Sequence, residues 1–155
     1  MSPIFGVFVL IGALFTLTLV FDDIFIYIMT SDEKLIVTKF MKFVNDELQI
    51  DRPFKLTVAK QRDDDLRTYA YYNKTNGDMK VYAANRGMAD VLRSIAHELV
   101  HHCQNCKNQL DVPHPDVGGE IEDEANSVAG QLVKKFGYAN PKLAIYSKHF
   151  GVDSD

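Results

Sequence analysis

The amino-acid sequence predicts an α+β domain in which a small twisted sheet of about three strands packs on helices. Two observations lead to this prediction. Apolar residues recur at helical spacing in three long segments, and they alternate as in strands between the first and second of these segments. The predicted order is therefore helix, three strands, helix, loop, helix, which suits an α+β domain.

The N-terminal segment is apolar enough to cross a membrane. Residues 3–21 carry no charge, and after two aspartates residues 24–29 are apolar again. About 20 apolar residues suffice to span a bilayer as a helix. No basic region precedes the run and no clear small-residue cleavage site follows it, which argues against a cleaved signal peptide. We therefore expect a single transmembrane helix through residues 3–28 that anchors the protein in a membrane.

This interpretation divides the chain into an apolar N-terminal segment, residues 1–29, and a domain, residues 30–155. Because basic residues beside a membrane helix favour the cytoplasmic side and the first lysine is Lys34, we expect the domain to be cytoplasmic. Two alternatives remain open. The protein could begin at Met29 and be soluble in the cytoplasm, or the apolar segment could form a buried hairpin or core helix.

Helical spacing of apolar residues predicts three main helices and a short terminal one. They cover residues 34–48, 89–106, 120–136 and 141–150. The T-x-x-E pattern from Thr30 to Glu33 reads as a capping box that would open the first helix. A loop with two prolines and a glycine pair, residues 108–119, separates the second and third helices.

The strands fall between the first two helices. Residues 54–59 alternate between apolar and polar, and residues 67–72 and 79–83 are two further strand candidates. Residues 73–78 form a predicted hairpin turn, in which Asn76-Gly77 would supply the positive-φ positions.

Composition excludes some classes of protein. The 155 residues are enough for one domain with a hydrophobic core, and 17 basic minus 21 acidic residues give a net charge of −4. Without a clustered basic face, no nucleic-acid partner is expected. Two cysteines are too few to hold a disulfide-rich secreted scaffold together.

The most informative motif is His97-Glu98-Leu99-Val100-His101, an H-E-x-x-H sequence on the second helix. Residues four apart lie on one face of a helix, so His97 and His101 can bind one metal ion. Glu98 lies about 100° further round the helix. Its carboxylate is therefore predicted to lie beside the metal, where it can take a proton from a metal-bound water.

A third ligand is expected from the acidic start of the third helix. A catalytic zinc usually takes three protein ligands and leaves one position for water. At about 100° per residue, Glu122 lies at the edge of the apolar stripe of this helix, whereas Glu120 and Glu124 point toward solvent. Glu122 is therefore the preferred ligand, with Glu120 and Glu124 as the alternatives.

This arrangement resembles the gluzincin metallopeptidases, the class that includes thermolysin. H-E-x-x-H followed after about twenty residues by E-x-x-x-[D/N] is their pattern, and E-x-x-A-N-x-x-A, from Glu122 to Ala129, is similar to the small ImmA/IrrE-type peptidases. The resemblance covers about residues 67–136. It implies Glu122 as the third zinc ligand and Asn126 as a residue that supports a metal-bound histidine. It also implies that the strand at residues 79–83, taken as the edge of the sheet, pairs with an extended peptide substrate.

Several other chemically able residues have open roles. His102 is expected at the surface, and His114 in a loop. Cys103 and Cys106 could form a second zinc site with His102 or His114 or act as a redox pair, but Cys103 falls on the core stripe, where a buried free thiol is commoner. Three C-terminal side chains could stabilise an oxyanion, namely Tyr138, Tyr146 and His149.

The sequence thus predicts a zinc-dependent peptidase that acts on a protein or peptide substrate. In this hypothesis Zn²⁺ is held by His97, His101 and Glu122, and Glu98 is the general base. One alternative is a non-catalytic zinc-containing interaction or sensing module, although such a site has no need of Glu98. Another is a membrane-tethered binding protein whose helix pair only looks like a zincin.

Overall fold

The computed structural model describes residues 29–59, 68–110 and 119–151. Within these ranges the α+β class is confirmed, with three α-helices and a three-stranded mixed sheet. In chain order the elements are α1 (Ser31–Leu48), β1 (Lys55–Ala59), β2 (Ala70–Tyr72), β3 (Asp78–Tyr82), α2 (Met88–Cys106), α3 (Glu120–Ala139) and one turn of 3₁₀ helix (Pro141–Leu143).

No helix within the described ranges is long and apolar enough to cross a membrane. The transmembrane helix predicted through residues 3–28 falls in residues 1–28, outside the described residues. The loop segment 111–118, which contains His114, also lies outside them.

The sheet has the order β1-β3-β2, with β1 parallel and β2 antiparallel to the central strand β3. The prediction that residues 79–83 form an edge strand is therefore wrong. Leu56 and Val58 of β1 pair in register with Met79 and Val81 of β3, and all four side chains are buried. The β3 backbone is paired with β1 on one side and with β2 on the other. It therefore has no free edge that could pair with an extended peptide.

The β2–β3 connection is the expected hairpin, but its geometry differs from the prediction. Gly77 has φ +75°, whereas Asn76 is not at positive φ. The asparagines instead organise the loop through their side chains. Asn73 Oδ1 accepts a hydrogen bond from Thr75 N, and Asn76 Oδ1 accepts one from Asp78 N.

Helix α1 begins with the capping box that its sequence indicates. Thr30 Oγ1 accepts from Glu33 N at 3.2 Å, and Glu33 Oε2 accepts from Thr30 N at 2.7 Å. The helix therefore starts at Ser31, three residues before the predicted start at residue 34. The other carboxylate oxygen of Glu33 accepts from Gly151 N at 3.0 Å, so one buried side chain connects the start of α1 to the C-terminal segment.

The core lies where α2 packs against the sheet, α1 and α3. The predicted inner stripe of α2 is fully buried at Leu92, Ile95, Ala96 and Leu99. Between α1 and α3, the Phe40 and Phe136 rings meet edge to face with centroids 5.1 Å apart. This apolar packing fixes α2 against α3, and the candidate ligands lie along that contact.

The predicted terminal helix at residues 141–150 is wrong beyond its first turn. Ala144 is left-handed at φ +49°, and the chain then turns back on α2. Met88 N donates to Lys148 O at 2.8 Å, and Phe150 N donates to Arg86 O at 2.8 Å. The first N–H groups of a helix have no partner within it. The bond from Met88 N to Lys148 O therefore satisfies one donor at the start of α2.

Candidate metal centre

Helices α2 and α3 bring three ligand-type side chains together. His97 and His101 lie one turn apart on α2, and their Nε2 atoms are 2.9 Å apart. Glu122, in the first turn of α3, places Oε1 at 3.1 Å from His101 Nε2 and Oε2 at 3.4 Å from His97 Nε2. Glu120 and Glu124 are not part of this group.

The two helices run antiparallel and contact each other in matched positions four residues apart. His101 lies opposite Glu122, the Asn126 side chain hydrogen-bonds to His97, and the guanidinium of Arg93 approaches Gly130. A Cβ at Gly130 would lie 3.2 Å from Arg93 Nη2. The register of the two helices therefore places both Glu122 and Asn126 against the histidines.

The three groups have the chemistry and spacing of a metal site. Two imidazole nitrogens and a carboxylate oxygen lie within 4.8 Å of one another, and this is the only such cluster of three or more in the described residues. Ligand atoms about 2.0–2.1 Å from a tetrahedral zinc lie about 3.3 Å apart, close to the distances found here. Three groups that each direct a lone pair to one point repel one another unless a proton or a cation lies between them.

The centre is open to solvent on one side. Side-chain exposure is 11% for His101 and 20% for His97, but 41% for Glu122. Three protein ligands with an accessible face are typical of catalytic metal sites, whereas structural zinc sites are usually closed by four ligands.

Electrostatics favour a neutral imidazole at His97. Burial lowers the pKa of His97, the neighbouring His101 lowers it further, and Glu122 and the hydrogen bond that His97 donates to Asn126 raise it in part. A neutral imidazole has the free lone pair that a metal requires.

Glu98 lies on the buried side of the same helix turn. It is 5% exposed, and burial, reinforced by the negative charge of Glu122, raises its pKa from 4.5 to about 8. A buried carboxyl group with a raised pKa close to Glu122 is a candidate for proton exchange at this centre.

Gln104, which belongs to none of the motifs in the sequence, is buried beside His101. Its Oε1 lies 2.7 Å from His101 Nδ1, and its Nε2 donates to Ile121 O at 3.1 Å and to Glu124 Oε2 at 2.8 Å. Gln104 follows His101 by three residues, so helical spacing alone would have placed it on the histidine face.

The expectation that His102 lies at the surface is wrong, because this residue is only 3% exposed. Its Nδ1 lies 3.0 Å from the Tyr72 hydroxyl and its Nε2 lies 3.2 Å from Arg52 O. Asn105 Nδ2 donates to the same hydroxyl at 2.9 Å, so Tyr72 can donate to His102. His102 thus connects the end of α2 to β2 and to the turn before β1.

The two cysteines are free thiols, and both are half-buried, which corrects the expectation of a buried Cys103. They line a cleft of about 180 Å³ together with His102, Arg52 and Lys107, among others. Among the described residues, neither cysteine belongs to a group of three or more side chains that could hold a metal ion.

The C-terminal candidates lie away from the centre. Tyr138 follows Glu122 by 16 residues on α3, which is about 24 Å along the helix axis. Tyr146 packs over Gly137 near the same end of α3, and His149 pairs with Gly87 at the start of α2.

Comparisons with protein-family models, curated proteins and solved structures gave no match for this chain.

Proposed function

We propose that this protein is a zinc-dependent peptidase of the gluzincin type. The observation that carries the proposal is the convergence of His97, His101 and Glu122 within 4.8 Å, with Glu98 buried beside them. The metal group alone fits several functions. The glutamate next to the first histidine favours catalysis, because a structural site has no use for it.

In this proposal His97, His101 and Glu122 would hold Zn²⁺ and leave a further position facing solvent. When bound, the ion supplies Lewis acidity that polarises a substrate carbonyl and makes water more acidic. Glu98, which the charge of a bound cation would keep ionised against the effect of its burial, accepts the proton of the attacking water and passes it to the leaving amine nitrogen. Asn126 holds the His97 ring in the orientation that its metal bond requires.

The test compares the purified full-length chain with Glu98→Gln and with the matched control Glu120→Gln, an exposed carboxylate outside the group. Zinc content is measured by elemental analysis, and hydrolysis is measured on casein. We expect one zinc per chain in all three proteins and a 10²- to 10⁴-fold lower rate only in Glu98→Gln.

Full turnover in Glu98→Gln would remove Glu98 from the mechanism. Bound zinc with no hydrolysis in any of the three proteins would favour the non-catalytic zinc module. A wild-type chain that binds no metal would overturn the proposal.

A further inference from the structure

We infer that Gln104 is a positioning residue that fixes His101 in its metal-binding tautomer and holds the Glu122-bearing turn of α3 in place. The inference rests on the proposed metal site, and it assigns a role to a residue outside the H-E-x-x-H motif. Its basis is the set of three hydrogen bonds that the buried Gln104 amide makes.

The orientation of the Gln104 amide follows from its partners. A backbone carbonyl and a carboxylate can only accept hydrogen bonds, so the NH₂ group must face Ile121 O and Glu124 Oε2. The remaining atom, Oε1, then faces His101 Nδ1 at 2.7 Å. The hydrogen-bond partners alone therefore distinguish the nitrogen from the oxygen of the Gln104 amide.

The amide orientation decides the His101 tautomer. An amide oxygen can only accept, so the short contact requires a proton on His101 Nδ1. In the neutral ring the lone pair is then on Nε2, the atom that lies 3.1 Å from Glu122 and 2.9 Å from His97. Gln104 therefore directs the His101 lone pair toward the candidate metal position.

The same side chain holds the third ligand. Ile121 and Glu124, which accept the two bonds from Nε2, flank Glu122 in the first turn of α3. α3 has no side-chain cap at its N-terminus, so this turn gains no such support of its own. One amide thus connects a ligand of α2 to the ligand turn of α3.

The first measurement concerns the metal-free full-length chain labelled with ¹⁵N-histidine. It is made at about pH 8.5, two units above the usual histidine pKa. We expect a proton on His101 Nδ1 in the wild type and its partial loss, as a tautomer mixture, in Gln104→Ala. A wild-type His101 that carries no proton on Nδ1 would overturn the inference, whether or not the protein binds zinc.

The second measurement is the affinity for Zn²⁺, by competition with a chelating dye. We expect about 10- to 100-fold weaker binding in Gln104→Ala and unchanged binding in the matched control Gln131→Ala, an exposed glutamine of α3. Equal affinity in Gln104→Ala with native secondary structure would show that the centre does not depend on this residue. Failure of the wild type to bind zinc would instead contradict the proposed function.

A charge swap separates a positioning role from simple packing. Gln104→Glu keeps an acceptor for His101 but faces the Glu124 carboxylate and loses both donors, so zinc binding should weaken. Adding Glu124→Gln restores a donor across that contact and should recover part of the affinity. No recovery in the double variant, with the fold intact, would count against the connection to α3.

Discussion

Among single residues, Glu122 is the one that completes the proposed zinc site beside the two histidines of α2. Its two carboxylate oxygens lie 3.1 and 3.4 Å from the histidine Nε2 atoms. We predict that Glu122→Ala loses at least 10-fold in zinc affinity, because two neutral ligands remain where three are needed. The measurement is zinc competition, with Glu120→Ala as the control. Equal loss in both variants would indicate a general charge effect at the start of α3 and not ligation.

Tyr72 shows how a buried hydrogen-bond chain contributes to stability. Its hydroxyl lies between Asn105 and the buried His102. Tyr72→Phe leaves the buried Nδ1 of His102 without its partner, whereas Asn105 Nδ2 keeps its bond to Lys74 O. We expect the substitution to lower the free energy of unfolding by about 1–2 kcal/mol at pH 7. Urea denaturation followed by circular dichroism measures this difference.

The same substitution predicts a pH dependence. Burial raises the pKa of Tyr72 above its ordinary value of 10, against a smaller lowering by the Asn105 hydrogen bond. The unfolded tyrosine therefore loses its proton first, so wild-type stability falls as the pH rises through 10, whereas the Tyr72→Phe variant has no such loss. The difference between the two proteins should shrink above pH 10. A difference that stays constant to pH 11 would contradict a raised pKa.

The sequence placed His97, His101 and Glu122 correctly because helical periodicity fixes which residues share a face. It missed Gln104, although spacing places this residue beside His101, because the other two partners of its amide lie in α3. It misplaced His102 because the partners that bury it lie in other elements. Gln104 depends on the register of α2 against α3, and His102 depends on β2 and the turn before β1. Spacing along one helix carries no information on such contacts.

At the level of elements, the start of α1 depends on one buried carboxylate. Glu33 accepts hydrogen bonds from Thr30 N and from Gly151 N. We predict that Glu33→Ala destabilises the fold by about 2–4 kcal/mol, because each donor left unpaired costs about 1–3 kcal/mol. Thr30→Ala, which removes one cap bond, should cost about 1 kcal/mol.

The control for this pair is Glu47→Ala, at the other end of α1. Glu47 forms an exposed ion pair with Lys135, and such pairs contribute about 0–1 kcal/mol. Urea denaturation of the three variants gives the order. A cost for Glu33→Ala no larger than that for Glu47→Ala would mean that the Gly151 contact adds nothing.

The sheet marks the limit of element-level prediction. Three strands and a hairpin were predictable from alternation and turn residues. The central position of β3 was not, because the parallel partner β1 reaches it across a connection that no local pattern describes. The prediction of a C-terminal helix failed for a similar reason, since beyond the 3₁₀ turn Lys148 and Phe150 form backbone bonds with Met88 and Arg86 at the start of α2.

For the whole molecule, the candidate centre connects metal binding to stability. Its ligands come from two helices, so an ion bound there stabilises the packed state relative to the unfolded chain. At a free zinc concentration 100 times the Kd, the expected gain is about 2.7 kcal/mol, or a rise in Tm of about 5–10 °C for a chain of this size.

Thermal denaturation with zinc and then with excess EDTA tests this gain. The increase should vanish with the chelator and should be absent in His97→Ala. An equal rise in His97→Ala would place the stabilising ion elsewhere in the protein.

The carboxylate of Glu33 also has a consequence for the path of the chain. Since it bonds to the backbone of residue 30 through one oxygen and of residue 151 through the other, the two ends of the described fold lie side by side. The backbone of residue 30 therefore lies close to that of residue 151. A short linker could close the backbone into a ring, and new termini could be opened in the β2–β3 hairpin without cutting either helix that carries a ligand.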